Sequence, residues 1–291
     1  MPYMRTTRCK AAAAARIGAA LARRKRSELL ELLRPGFART GPWLQAGKYA
    51  AAVMSQIPRR NGWTIAERSG DRTPDRTQRL LNRAVWDTWA AMGVVRRFAV
   101  AGLDEAARKT GRRRGLAVGA IDETGQAKAG LRTAGVKRQY LGCVGKVANG
   151  INTVHLAYAR EGTGHALIGA REWIPAAQIG DPATSAVMGL PADLVFRTKG
   201  QLAIDILAEA FADSVRLDFV CGDETSDAVK LSSCMRKFPG AGGEGGGFVV
   251  VLAGGEAVVQ AAEQAAEQVA LRGGVPVTGV SSPVVVGTGA G

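Results

Sequence analysis

The stretch "GLAVGAIDETG" covers residues 115–125. Its apolar part, 115–121, is too short for a helix and is bounded by Gly and by acids, which is the signature of a buried strand. The strand closes on Asp122 and Glu123. The chain has a formal net charge of +14, yet it places two carboxylates at the end of an apolar run. That placement needs a reason.

Downstream segments supply one. "QYLGCVGKV" (139–147) and "INTVHLAYARE" (151–161) alternate like antiparallel strands, with "ANG" (148–150) as the hairpin turn between them. "TKGQLAIDILAEAFADS" (198–214) has helical spacing, and "VRLDFVCGDE" (215–224) is another apolar strand ending in acids. "GGFVVVL" (246–252) reads as a fifth strand. Strand, hairpin, helix, strand, with carboxylates closing the first and fourth strands, is the order of an RNase H-like core. In such a sheet those two strands are neighbours, so Asp122 and Asp223 are expected side by side. Two carboxylates held together need a cation, and oxygen ligands without His or Cys suit Mg²⁺ or Mn²⁺. A pair of such ions, about 4 Å apart, activates a water or a 3′-hydroxyl and stabilises the leaving oxygen of a phosphodiester. Acids after strands are also common turn residues. The matched position in two strands is what favours the site.

Composition narrows the class. Apolar residues make up 46% of the 291, enough for a core. No stretch reaches the roughly 18 unbroken apolar residues of a membrane span. The N-terminal "AAAAARIGAALARRKR" lacks the order of a signal peptide. Cys9, Cys143, Cys221 and Cys234 show no paired metal-ligand spacing and read as free thiols in a reducing compartment. With only His155 and His165, a His-rich metal site is excluded.

Charge divides the chain. Residues 1–115 carry 25 Lys and Arg against 8 Asp and Glu, a net of +17, while residues 116–291 carry 14 against 17, a net of −3. A basic half beside a mildly acidic one points to a polyanion-binding module joined to a different module. The basic half is helical in pattern: 11–33, 42–57 and 87–115 are rich in Ala, Leu, Arg and Glu. Between them, "NGWTIAERSGDRTPDRTQRLLNRAVWD" (61–87) reads as two short helices across a tight turn. Thr64 is expected to cap the first, which ends at Gly70. Thr73-Pro74-Asp75 starts the second. On that second helix Arg72, Arg76, Arg79 and Arg83 share one face, with Leu80 and Leu81 turned to a core. The face is either a set of phosphate contacts or a solvated surface, and pattern alone leaves both open.

The quoted segments carry a resemblance. From about Phe37 to about Leu231 the chain resembles the DDE-superfamily transposases of bacterial insertion sequences, specifically insertion-sequence family 701. The segments are "FARTGP", the 61–87 stretch, "AIDETGQAKAG", "AGVKRQYLGCVGKVANG", "LAYAREGTGHALI" and "VCGDE". The resemblance implies an RNase H-like catalytic domain, two divalent ions (Mg²⁺ or Mn²⁺), and DNA transposition by phosphodiester hydrolysis and strand transfer. By residue match, Asp122 is the first catalytic acid and metal ligand and Asp223 the second. Lys137 and Arg138, inside a matching block, join Arg72, Arg76, Arg79 and Arg83 as expected DNA contacts. "AREGTGHALIGAREWIP" (159–175) is substrate-channel and scaffold sequence, with His165 structural. The implied partners are the double-stranded terminal inverted repeats, target DNA and a second copy in a homodimer, with no membrane. The implied location is the bacterial cytoplasm, at the nucleoid.

The chain departs from the family pattern at Ala127-Lys128-Ala129-Gly130 and at Ala148-Asn149-Gly150. The third catalytic acid, a Glu on a helix, is not identified. The stretch 238–291 is Gly-, Ala- and Val-rich and has no charge after Arg272, so a truncated or frameshifted end inside a β-rich insertion is expected. A helix over "EAVVQAAEQAAEQVAL" would carry Glu256, Glu263 and Glu267. The expected organisation is a basic helical extension (1–36), a helical DNA-binding domain (37–114), a partial RNase H-like mixed-sheet core with flanking helices (115–252) and a low-complexity tail (253–291). Three functions follow: a transposase with impaired catalysis, a non-catalytic DNA-binding remnant or domesticated transposase that occupies transposon ends, or a structure-specific nuclease with the same core.

Overall fold

The computed structural model describes residues 2–111, 115–223, 248–252 and 285–286. The chain divides into two units, Met1–Val95 and Arg96–Gly291. The basic linker 112–114, most of the tail and its proposed Glu-bearing helix lie outside the described residues.

In the first unit the Ala- and Leu-rich segments form α1 (Pro2–Leu33) and α2 (Thr40–Val53). The 61–87 stretch forms α3 (Gly62–Ser69) and α4 (Asp75–Asn82), and α5 (Thr88–Lys109) begins here. The cap of α3 is Asn61, not Thr64. Its side chain accepts the Trp63 and Thr64 amides at 3.0 and 3.1 Å, and Thr64 Oγ1 accepts the Asn61 amide in return. Asn at this position satisfies two otherwise orphaned donors, so it outcompetes the hydroxyl three residues on. Gly70 ends α3 at φ 71°, a left-handed conformation that favours glycine. Pro74 occupies the cap position of α4 with no side-chain cap, so Thr73 does not play that role.

The three short helices pack around a polar centre. Gln45 of α2 is buried and donates to Asp71 at 2.8 Å and to Thr77 at 3.2 Å. Lys48 donates to the other Asp71 oxygen at 2.6 Å. Ile65, Ala66, Thr77 and Leu80 are buried beside it. Leu80 turns inward as its spacing predicts, but Leu81 is 53% exposed, because eight residues of helix offer only one buried stripe.

The second unit is built on a seven-stranded mixed sheet. The strands are β1 (Ala117–Ala127), β2 (Lys137–Leu141), β3 (Lys146–Arg160), β4 (Gly164–Glu172), β5 (Phe219–Asp223), β6 (Phe248–Leu252) and β7 (Val285–Val286). β3 runs antiparallel to β1, β2 and β4, whereas β5 runs parallel to β1, and β6 parallel to β5. The order β4-β3-β1-β5-β6 is consistent with an RNase H-like fold, with β2 an extra strand.

Two expectations are corrected. The hairpin turn is not at 148–150, which lies inside β3; the chain turns at Gly142–Val144 and at Gly145, whose φ is 63°. Nor does the first strand close on Asp122 and Glu123: β1 runs on to Ala127, paired with β3 as far as Ala127↔Gly150, so both acids lie inside the strand.

Small helices α6 (Ala176–Gly180) and α7 (Pro182–Met188) precede α8 (Lys199–Ala212). Thr198 caps α8 in a reciprocal box with Gln201. Ile206, Leu207 and Ala210 of α8 are fully buried against Ile121, Val154, Leu156, Ile168 and Val220 of the sheet. Each such aliphatic side chain contributes about 2 kcal/mol by leaving water. β4 comes so close to α8 that a Cβ on Gly169 would lie 2.3 Å from Ile206 Cγ2. At the edge of this core Arg96 of α5 is 2% exposed. It donates to the Ile168 carbonyl at 3.0 Å, to Asp213 at 2.7 Å and to Glu209 at 3.1 Å.

Candidate active site

The pleat of β1 sorts its side chains. Ala117 and Ile121 face α8 and the core, so Asp122 belongs to the opposite face. Asp122 is exposed, and its Oδ1 accepts the backbone amide of Glu123 at 2.7 Å. Among the described residues no cation pairs with it in a salt bridge. Glu123, one residue on and so on the other face, is different: its carboxylate is bonded to the ammonium of Lys199, the first residue of α8.

The neighbouring strand determines where the second acid falls. β1 and β5 pair in parallel from Val118↔Phe219 to Ile121↔Gly222. Asp122 and Asp223 are the next residues on the two strands, and alternation assigns positions 122 and 223 to one face. On the other side of β1, His155 of β3 sits directly opposite Asp122. Burial holds the imidazole below its usual pKa, and the Asp122 charge opposes that shift. The His155 Nδ1 atom is buried and has no hydrogen-bond partner among the described residues. Sequence reading set both histidines aside. The signal that could have found His155 is its register in the strand opposite Asp122, which no spacing along the chain reveals. His165 is exposed on β4.

Among the described residues no three His, Cys, Asp or Glu side chains come together closely enough to hold a metal ion. The neighbouring thiol of Cys221 is pushed up to about 11 by burial, which keeps it protonated and unsuited to metal binding. The donors at Asp122 are hard oxygens open to solvent, so they fit Mg²⁺ or Mn²⁺ in kind.

The predicted DNA contacts fall in two places. Arg72, Arg76, Arg79 and Arg83 are all exposed. α4 spans only Asp75–Asn82, so Arg76 and Arg79 lie on the helix while Arg72 precedes it and Arg83 terminates it. Arg76 is 3.9 Å from Asp71, a long contact that leaves its guanidinium available. Lys137 and Arg138 are exposed at the start of β2. The Lys137 and Lys199 ammoniums each lie over the Trp173 ring, 5.6 and 5.7 Å from its centroid. Among the described residues no helix is long and apolar enough to cross a membrane.

No curated protein and no solved structure matches the chain. The family model for the DDE superfamily endonucleases matches residues 33–225, about two thirds of the chain, and that span includes β1, β5 and both acids. The chain therefore belongs to the DDE superfamily endonuclease family.

Proposed function

We propose that the protein is a DNA transposase of the insertion-sequence type, related to insertion-sequence family 701, acting on the terminal inverted repeats of its element. The observation that carries this reading is the parallel pairing of β1 with β5, whose last rung, Ile121↔Gly222, leaves Asp122 and Asp223 next on adjacent strands. Asp122 and Asp223 would hold the divalent ions. When bound, such ions supply an activated water or 3′-hydroxyl and stabilise the leaving oxygen of the cut phosphodiester. Asp122 fits that duty because it is exposed and its Oδ1 is oriented by the Glu123 amide. Glu123 does not compete for it, since Lys199 engages its carboxylate on the other face.

Binding falls to the basic residues. Arg72, Arg76, Arg79 and Arg83 would meet phosphates of the terminal repeat, and Lys137 and Arg138 would meet the strand near the acids. The test is nicking of a plasmid that carries the element's ends, in Mg²⁺ or Mn²⁺. The expected result is weak metal-dependent nicking, because no third acid is identified to complete the site, and its loss in Asp122→Asn and in Asp223→Asn. Nicking that survives both substitutions would overturn the assignment of the acids. Specific binding of the ends without any nicking would select the second reading, a non-catalytic end-binding protein, which the +17 charge of residues 1–115 favours.

A further inference from the structure

The row of side chains that carries Asp122 extends over three strands. On one side, one step beyond Ile121↔Gly222, lies position 223 of β5. On the other, His155 of β3 is the direct cross-strand partner of Asp122. Ile121, Val154, Leu156 and Val220 hold the face packed on α8, so alternation puts positions 155, 122 and 223 together on the opposite face. Position 223 enters by its place on β5 alone. Asp122 is the middle of the three. Residues directly opposite in an antiparallel pair have Cβ atoms about 5 Å apart. An ion at Asp122, with bonds of roughly 2.1 Å to its ligands, is therefore within reach of an imidazole on one side and a carboxylate on the other.

The neighbours on this face are small. Ala120 and Ala157 precede the pair, Thr124 and Thr153 follow it, and Ala170 of β4 flanks His155. No side chain at these five positions is larger than threonine, so none reaches across between Asp122 and His155. The Nδ1 atom of His155 is buried, and no described donor or acceptor meets it. A buried ring nitrogen left unpaired is costly, and native proteins give such atoms a protein group, a water or an ion as partner. The Asp122 carboxylate does not fill that role, since its described hydrogen bond goes to the Glu123 amide. A water would satisfy the nitrogen but would leave two carboxylates side by side at 122 and 223 without a counter-charge. A divalent cation serves all three groups at once.

We propose that His155 is a third protein ligand of the divalent ion held at Asp122 and Asp223, bound through its Nδ1. The inference rests on the metal-site reading above and adds a nitrogen to a set otherwise made of oxygens. A nitrogen ligand changes the choice of ion. Mg²⁺ takes oxygen ligands, whereas an imidazole favours first-row transition ions. His155 thereby tunes the site towards Mn²⁺ or Fe²⁺ and away from Mg²⁺.

The test loads the full chain with Mn²⁺ in the absence of DNA and reads the bound ion by electron paramagnetic resonance. Spin-echo modulation from a directly coordinated imidazole ¹⁴N is expected. His155 and His165 are the only imidazoles of the chain. The modulation is therefore expected to persist in His165→Gln and to vanish in His155→Gln. His155→Gln is also expected to narrow the preference for Mn²⁺ over Mg²⁺, read by competition, by about tenfold. If His155→Gln fails to fold, the wild-type and His165→Gln spectra still decide, because His155 is then the one imidazole left as a source. Bound Mn²⁺ without nitrogen modulation would overturn the role of His155 and leave the two aspartates as the site. Modulation that disappears in His165→Gln, or survives in His155→Gln, would overturn it in the same way. No bound Mn²⁺ at all would overturn that role together with the metal-site reading.

Discussion

Ile121 pairs with Gly222 on the last rung of the parallel ladder between β1 and β5. Each is followed by an aspartate, so one further step along the two strands makes positions 122 and 223 neighbours. Asp122 makes its one described side-chain hydrogen bond to the amide next to it and is open to water. Asp122→Asn is therefore expected to change unfolding free energy by less than about 0.5 kcal/mol. The same variant is expected to lower metal-dependent nicking at least 100-fold, since an amide is a poor ligand for a hard divalent ion. Urea unfolding and plasmid nicking on one preparation check the split. A loss of stability in step with activity would make Asp122 a structural residue.

Arg96 holds α5 to β4 and α8 through one carbonyl and two carboxylates while itself 2% exposed. Removing one partner of a buried ionic network leaves the others uncompensated. Arg96→Ala is expected to destabilise the second unit by about 3 kcal/mol, near the lower end for such networks because Glu209 retains contact with water. Urea titration of the full chain, read by far-ultraviolet dichroism, gives the value. A change under about 1 kcal/mol would show the network to be dispensable.

The first unit carries its own pH signature. The Lys48 ammonium bonded to Asp71 holds that carboxyl below its ordinary 3.8, with Gln45 adding to the effect against the opposing cost of burial. A depressed carboxyl contributes stability that is present above 3.8 and lost as pH falls through the lowered value. The melting temperature of wild type is thus expected to drop in acid more steeply than that of Asp71→Asn, which starts lower near neutrality. Parallel pH profiles for the two proteins would contradict the role given to Asp71.

Arg76, Arg79 and Arg83 are exposed around α4 with Thr77 and Leu80 buried beneath. Replacing all three with Ala is expected to leave the melting temperature unchanged and to weaken duplex binding. If all three meet phosphates, the slope of log affinity against log salt flattens by about 2.7 units, at 0.9 per contact. Gel-shift titrations at several salt concentrations measure it. An unchanged slope would make these arginines a solvated face.

How much of this was legible beforehand varies by element. The apolar runs of β1 and β5 stand out because an unbroken stretch of small and branched residues ending in charge has few other readings, but β1 continues five residues beyond Asp122, since its polar half is held by pairing with β3 and not by an apolar pattern. The position of the hairpin turn is not legible, because Asn149-Gly150 is a strong local turn signal, yet β3 extends straight through it and Gly145 makes the bend. β4 was missed because glycines and a register shift opposite Leu156 and Ala157 blur its alternation. Arg96 could not be found at all, since a buried arginine looks like any surface arginine until its three partners, distant in sequence, are in place. The same holds for His155, which meets Asp122 only across a strand pairing.

The central claim is that Asp122 and Asp223 share a divalent ion. With metal–oxygen bonds of roughly 2.1 Å, one ion between them requires carboxylate oxygens within about 4 Å. The most direct measurement replaces Mg²⁺ by Fe²⁺ with ascorbate, which cuts the polypeptide backbone next to the bound ion, and maps the cuts by mass spectrometry. The account predicts cuts near residue 122 and near residue 223 in the same protein, suppressed by excess Mg²⁺ and absent in Asp122→Asn. Cuts confined to one of the two strands, or unaffected by Asp122→Asn, would contradict it.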